Sequence, residues 1–196
     1  IILVKFIDTH THINLRAFKE DASETIQRAL DASVAVVNVG TQIDTSRQAV
    51  ALLEQFSENV YAVIGLHPTH TFGHDFVDEE EVQFKTREEH FDIAMYQELA
   101  KNVRVVGIGE CGLDYYRLPD NRDHEEIKLL QRAAFHEQIK LAIELDKALC
   151  VHCRPSEGTL DAYLEMLNVI SDVKKDNPSL RFEIHCYTGD AETALK

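Results

Sequence analysis

The sequence predicts an α/β fold of the TIM-type (β/α) barrel class, incomplete within these 196 residues, and three observations carry that prediction. Short β-branched or apolar runs alternate with longer segments whose apolar residues recur at helical spacing, the pattern of parallel strands joined by crossover helices. Histidine or glutamate closes the first, third, fourth, fifth and sixth of those runs, at His10, His67, Glu110, His152 and His185. An open doubly wound sheet gathers its ligands at one switch point, whereas a barrel collects them from many strand ends around one mouth. The spread of these five residues favours the barrel. A complete barrel needs eight strands and typically about 250 residues, so about six of eight βα units are present.

Taken in order, the strand candidates are residues 2–7, 34–39, 60–64, 103–108, 148–151 and 181–184. Helices are expected near residues 22–31, 45–56, 87–100, 123–145 and 158–173. Residues 72–89 are rich in Asp and Glu and carry no strong strand signal. They read as an excursion of the loop after the third strand, either shaping access to the barrel mouth or simply a solvated acidic loop. Residues 1–196 are expected to form a single barrel domain truncated at its C-terminus, with two strands following Lys196 in roughly 60 to 70 further residues.

With 44% hydrophobic and 28% charged residues, the chain has material for one sizeable core. Its longest apolar runs fall far short of the roughly 20 residues that cross a bilayer, and the N-terminus has no secretory pattern. A soluble, cytoplasmic protein is the expectation. Cys111, Cys150, Cys153 and Cys186 lie in or beside strand candidates and read as reduced thiols. Cys150 and Cys153 form a C-x-x-C, but without a second pair or a helix start it reads as coincidental. The formal net charge of -14 argues against a broad basic surface for nucleic acid. A polyanionic substrate would need local neutralisation, which metal ions in an acidic pocket can supply.

Asp8-Thr9-His10-Thr11-His12 ends the first strand, and strand alternation is expected to put Asp8, His10 and His12 on one face. Two convergent imidazoles suit zinc, manganese or iron. Glu110 follows Val105-Val106-Gly107-Ile108-Gly109, where glycines allow close backbone approach, and a carboxylate there could bridge two ions. His152 and His185 would each, taken alone, read as buried core histidines. Together, four histidines and one carboxylate at strand ends have the ligand mixture of a two-metal site.

Five segments in this order resemble the TatD family of metal-dependent deoxyribonucleases, within the amidohydrolase-like barrels. They are Asp8-Thr9-His10-Thr11-His12, Gly65-Leu66-His67-Pro68, Gly109-Glu110-Cys111-Gly112-Leu113-Asp114-Tyr115-Tyr116, Val151-His152-Cys153-Arg154 and His185-Cys186-Tyr187-Thr188-Gly189. The resemblance implies that His10 and His12 hold one ion, that Glu110 bridges, and that His152 and His185 hold the second. It implies one or two divalent ions (Mg, Mn or Zn). His67 and Arg154 would face the substrate, Arg154 with a guanidinium fork suited to phosphate; the alternative for Arg154 is a salt bridge at the rim. Glu110, His67 and Arg154 are thus the expected catalytic residues, while Asp114, Tyr115 and Tyr116 would organise the loop after the fourth strand. The implied reaction is hydrolysis of DNA phosphodiesters, at single-stranded ends, with no membrane and no obligate protein partner.

Family members also rely on an aspartate after strand eight, which has no counterpart here, so this fragment is expected to be weakly active or inactive. Two other readings stand beside the nuclease. Related barrels cleave small amides, lactones or esters, but often through a carboxylated lysine where this chain has a glutamate. A catalytically silent barrel scaffold would have no physical reason to keep every early ligand position filled. Metal identity and cleavage polarity stay open.

Overall fold

The structure, a computed structural model, describes residues 4–76 and 84–196. Six strands form one sheet: β1 (Phe6–Thr11), β2 (Val34–Val39), β3 (Val60–Ile64), β6 (Val105–Asp114), β7 (Ala148–Arg154) and β8 (Phe182–Ile184). All neighbours pair in parallel, in the order β1-β2-β3-β6-β7-β8. Each strand therefore lies beside the next sheet strand in the chain, with no reversal of order. That is the progression of a barrel wall and not of a doubly wound sheet, which reverses at its switch point.

The crossovers are α1 (Ala22–Asp31), α2 (Ile43–Leu53), α3 (Ile93–Leu99), α4 (His124–Glu144) and α5 (Asp161–Asp176), with a short α6 (Ala191–Ala194) after β8. Helix α4 buries Ile127, Gln131, Phe135, Gln138 and Ala142, a stripe at three- and four-residue spacing that faces the sheet. Asp123 caps it by accepting from Glu125 N at 2.9 Å. The core between sheet and helices is built on residues such as Val60, Ile64, Ile108, Leu113, Leu149 and Val151, all fully buried.

Several expected boundaries move. The first strand is Phe6–Thr11, starting four residues later than expected; residues 1–3 lie outside the described residues. The third helix is confined to Ile93–Leu99, because Asp92 takes extended backbone and its carboxylate accepts from Ala94 N and Met95 N. The fourth strand is the largest change: it runs on to Asp114, so Glu110 lies inside β6 and not after its end.

The expected loop 72–89 carries an antiparallel ribbon, β4 (His74–Phe76) paired with β5 (Phe84–Thr86); its residues 77–83 lie outside the described residues. Its return is no solvated acidic tail. Glu89 accepts from Ile43 N at 3.0 Å at the start of α2, and Arg87 bonds both Asp44 and Glu89 at 3.2 Å. The carboxylate thus satisfies an otherwise unpaired helix-start amide.

No helix among the described residues is long and apolar enough to cross a membrane. All four cysteines are free thiols, with only Cys186 exposed.

Candidate metal centre

Glu110 is the hub. It is 3% exposed, and its two carboxylate oxygens meet imidazoles from five places in the chain. Oε2 lies 3.5 Å from His10 Nε2 and 3.7 Å from His12 Nε2. Oε1 lies 2.6 Å from His185 Nε2, 3.2 Å from His152 Nδ1 and 3.7 Å from His67 Nε2. Burial opposes the charge on Glu110. The surrounding imidazoles, His67 first and then hydrogen bonds with His10, His152 and His185, nonetheless hold its carboxyl well below the usual range.

Local irregularities in the sheet put these groups there. The β6–β7 register slips between Gly109 and Cys111, so Glu110 is the residue of β6 without a partner in β7, and its N–H bonds Gly40 O instead. A bulge of this kind re-aims a side chain. Gly109 and Gly112 stand at φ +149° and +135°, and a side chain on either would collide with the carbonyl of Cys150 or of His152. Only glycine lets β6 lie this close to the histidine strand. A second slip, between Asp8 and Thr11 of β1, places the first histidines. It also breaks the strict alternation expected there: Asp8 is exposed and its carboxylate accepts from His10 N, so it does not join His10 and His12 at the hub.

Each imidazole is oriented by a different device. His12 Nδ1 donates to Val39 O at 3.1 Å, which leaves a lone pair on Nε2. That lone pair faces His10 Nε2 at 3.2 Å and Glu110 Oε2. Burial lowers the His12 pKa, so the neutral form is favoured. His10 stacks on His185 with ring centroids 4.0 Å apart, and its Nδ1 lies 3.4 Å from Cys150 Sγ. His152 is gripped at both nitrogens, by Glu110 Oε1 and, at 3.0 Å, by Asp114 Oδ2. Burial works to lower its pKa, but the hydrogen bonds and charges of Asp114 and Glu110 outweigh it and raise it to about 9. Asp114 responds in the opposite sense, burial raising and His152 lowering it, to about 2.

His67 stands apart. The Thr69 N–H donates to its Nδ1 at 3.2 Å, and an amide can only donate, so the neutral ring carries its proton on Nε2, the atom facing Glu110. Burial, then the neighbouring His152, pushes its pKa well below the ordinary value. It is a hydrogen-bond donor more than a ligand. Arg154 lies at the end of β7, its guanidinium 3.9 Å above the Tyr116 ring. It pairs with no carboxylate among the described residues, so the rim salt bridge weighed for it is not formed.

The donor set suits divalent cations: a buried carboxylate with imidazole nitrogens facing each of its two oxygens. His10, His12 and Glu110 could hold one ion; His152 and His185 approach the other oxygen of Glu110. The trio His67, Glu110 and His152 is also compact enough for an ion. In that trio the His67 Nδ1 lone pair already accepts from Thr69 N.

Three contributors escape a reading of the sequence residue by residue. Asp114, expected only to organise its loop, does so by accepting from Tyr116 N and Arg117 N, and it also fixes His152. Period-two spacing along β6 from Glu110 to Asp114 is the signal that could have found it. Gln131 and Gln138, fully buried on α4, clamp Asp114 and Leu66 by pairing with both the N–H and the C=O of each, at 2.8 to 2.9 Å. Two glutamines seven residues apart on an apolar helix face were the available clue.

Residues 7–196 match the family model described as TatD related DNase. A protein of Bacillus subtilis named "Uncharacterized metal-dependent hydrolase YabD" is 31% identical over 95% of this chain and 62% of its own length. One of Erwinia tasmaniensis named "3'-5' ssDNA/RNA exonuclease TatD" is 30% identical over 93% and 60%. In fold, the crystal structure of YjjV, a TatD homologue of Escherichia coli K12, matches with a TM-score of 0.74 at 24% identity, over 100% of this chain and 64% of that one. The chain thus spans less than two thirds of the length of these relatives. By the breadth of the family match and the order of its motifs along a barrel wall, the chain belongs to the TatD-related DNase family.

Proposed function

We propose that this chain is the metal-binding part of a phosphodiester hydrolase acting on single-stranded nucleic acid ends, within one barrel domain. The observation that carries the reading is the Glu110 carboxylate, met by imidazole nitrogens of His10, His12, His67, His152 and His185 at 2.6 to 3.7 Å. His10 and His12 would hold one divalent ion (Mg, Mn or Zn) and His152 and His185 a second, with Glu110 as the carboxylate ligand they share. Bound ions of this class supply positive charge for the phosphate oxygens and a more acidic water.

The protein's own groups do the rest. Val39 O and Asp114 fix the ring orientations of His12 and His152, as carbonyls and carboxylates do behind ligating histidines. His67 presents an N–H, and Arg154 a planar fork, to the non-bridging oxygens of the scissile phosphate. Glu110 itself is buried, which keeps its charge effective toward groups at the hub. The proton acceptor that the resemblance places after the eighth strand of a complete barrel has no counterpart in residues 1–196, whose β8 is the sixth strand of the wall. Support for the nucleic-acid substrate comes from the relatives named as ssDNA/RNA exonucleases.

The test compares the full natural chain with residues 1–196, both loaded with manganese, on 3′-labelled single-stranded DNA, RNA, an N-acyl amino acid and a lactone. The longer chain is expected to shorten the labelled strands, the fragment far more slowly. Turnover of the lactone or amide with intact strands would overturn the nuclease reading. Equal rates from both chains would remove any role for the additional segment.

A further inference from the structure

The chain carries 20 Lys and Arg against 34 Asp and Glu, and nearly every described cation is engaged by a carboxylate, a carbonyl or a hydroxyl. Among the residues whose side chains the structure describes, Lys5, Arg16, Lys19 and Arg154 make neither an ion pair nor a hydrogen bond. Three of them, Arg16, Lys19 and Arg154, line one cleft of about 1760 Å³ that has the histidine hub as its floor. In a protein with a net charge of -14, that is where unneutralised positive charge gathers.

The three are not together. Arg154 sits at the end of β7, over Tyr116, whose ring is half exposed. Arg16 and Lys19 come from another element, the 3₁₀ turn Arg16–Phe18 and the residue that follows it, directly after the His12 segment. The same cleft is lined by His12, Glu110 and His152 and by Leu15 and Leu52. Cations from two separate elements around one histidine and carboxylate floor match a ligand that carries more than one negative charge along its length.

We propose that Arg16 and Lys19 form a second phosphate-binding arm. A single-stranded polynucleotide lies across the hub, with one backbone phosphate near Arg154 and another on the Arg16–Lys19 bank. The proposal rests on the functional reading above and extends it by naming where the strand goes beyond the scissile bond. Each lysine or arginine that meets a phosphate releases counterions, so the arm has a signature in salt dependence that the hub alone does not.

The experiment measures binding of a fluorescein-labelled phosphorothioate oligothymidylate, which resists hydrolysis, to the manganese-loaded full natural chain across a salt series. The R16E/K19E variant is expected to bind more weakly and to flatten the plot of log affinity against log salt by about 1.4, two contacts at about 0.7 each. The control K5E/R28E makes the same change in net charge outside the cleft and should keep the wild-type slope. If R16E/K19E keeps that slope, or if both variants flatten it equally, the arm does not exist. Displacement of the strand by polyglutamate as readily as by unlabelled strand would assign the bank to acidic peptides and overturn the proposal. Hydrolysis by the wild-type chain judges the functional reading separately, so the two failures are distinguishable.

Discussion

The two halves of the hub are prepared in opposite ways. On the first strand, His12 is held by a neutral backbone carbonyl, and burial keeps it uncharged with its lone pair turned inward. On β7, His152 is held by two carboxylates that outweigh burial and push its pKa up to about 9, which favours the imidazolium when no ion is bound. His12 is ready as a ligand; His152 would have to lose a proton first. The difference comes from the elements behind each ring. Behind β1 stands the edge of β2, which offers only Val39 O, shared with Asn14 Nδ2. Behind β7 stands the long β6, which brings Asp114 four residues after Glu110 on the same face.

Glu110 belongs to both halves, so its removal should cost the most. Glu110→Gln keeps the shape but removes the charge that both ion sites share. Hydrolysis by the full natural chain should fall by more than the roughly 10–100-fold typical of residues that only orient a ligand. Steady-state rates with manganese measure it. A loss confined to tenfold would mean that the two halves work without a common hub.

Asp114→Asn separates the halves. It leaves an acceptor beside His152 but withdraws the charge, so manganese affinity or activity should drop about 10–100-fold while the His12 side keeps its geometry. The sign with pH follows from the shift. Because the His152 pKa is raised from 6.5 to about 9 in the folded protein, its interactions contribute stability fully below pH 6.5 and lose it as pH rises through about 9. Without metal, the melting temperature should therefore decline across that window. With metal it should not, because the ring is then already deprotonated. Binding of manganese near pH 7.5 should release about one proton, read from calorimetry in buffers of different ionisation enthalpy, and less in the Asp114→Asn variant. An NMR titration that finds His152 neutral at pH 7 in the metal-free protein would break the contrast.

How much of this was legible in the sequence differs between the same two regions. The strand-ending histidines and the order of motifs were enough to name the barrel wall and to bring His10, His12, Glu110, His152 and His185 to one place. What alternation could not convey was the slip in register. Period two placed Asp8 with His10 and His12, whereas a bulge turned Asp8 to solvent. The run Gly107-Ile108-Gly109 ended the expected strand at 108, whereas β6 continues through Glu110 because glycines at positive φ let it keep contact with β7. Helix caps supplied from afar, such as Glu89 on Ile43, are non-local pairings with no local pattern. Acidic composition alone made that segment look solvated.

The smallest expected effects test whether the bracing behind the fifth-strand half is separable from that behind the third. Gln131 and Gln138 make the same bond pattern, one to Asp114 and the other to Leu66. Gln131→Met and Gln138→Met preserve volume but leave a buried N–H and C=O unpaired, each such group costing about 1–3 kcal/mol. Urea midpoints should therefore fall to a similar extent in both. Their effect on manganese should differ. Loosening Asp114 frees His152 to rotate and weakens binding, whereas loosening Leu66 moves the neighbour of His67, which carries its proton toward the hub and holds no ion. If Gln138→Met weakened manganese as much as Gln131→Met, His67 would have to be counted among the ligands, and the lone pair assigned to Thr69 would have to be free in the metal-bound protein.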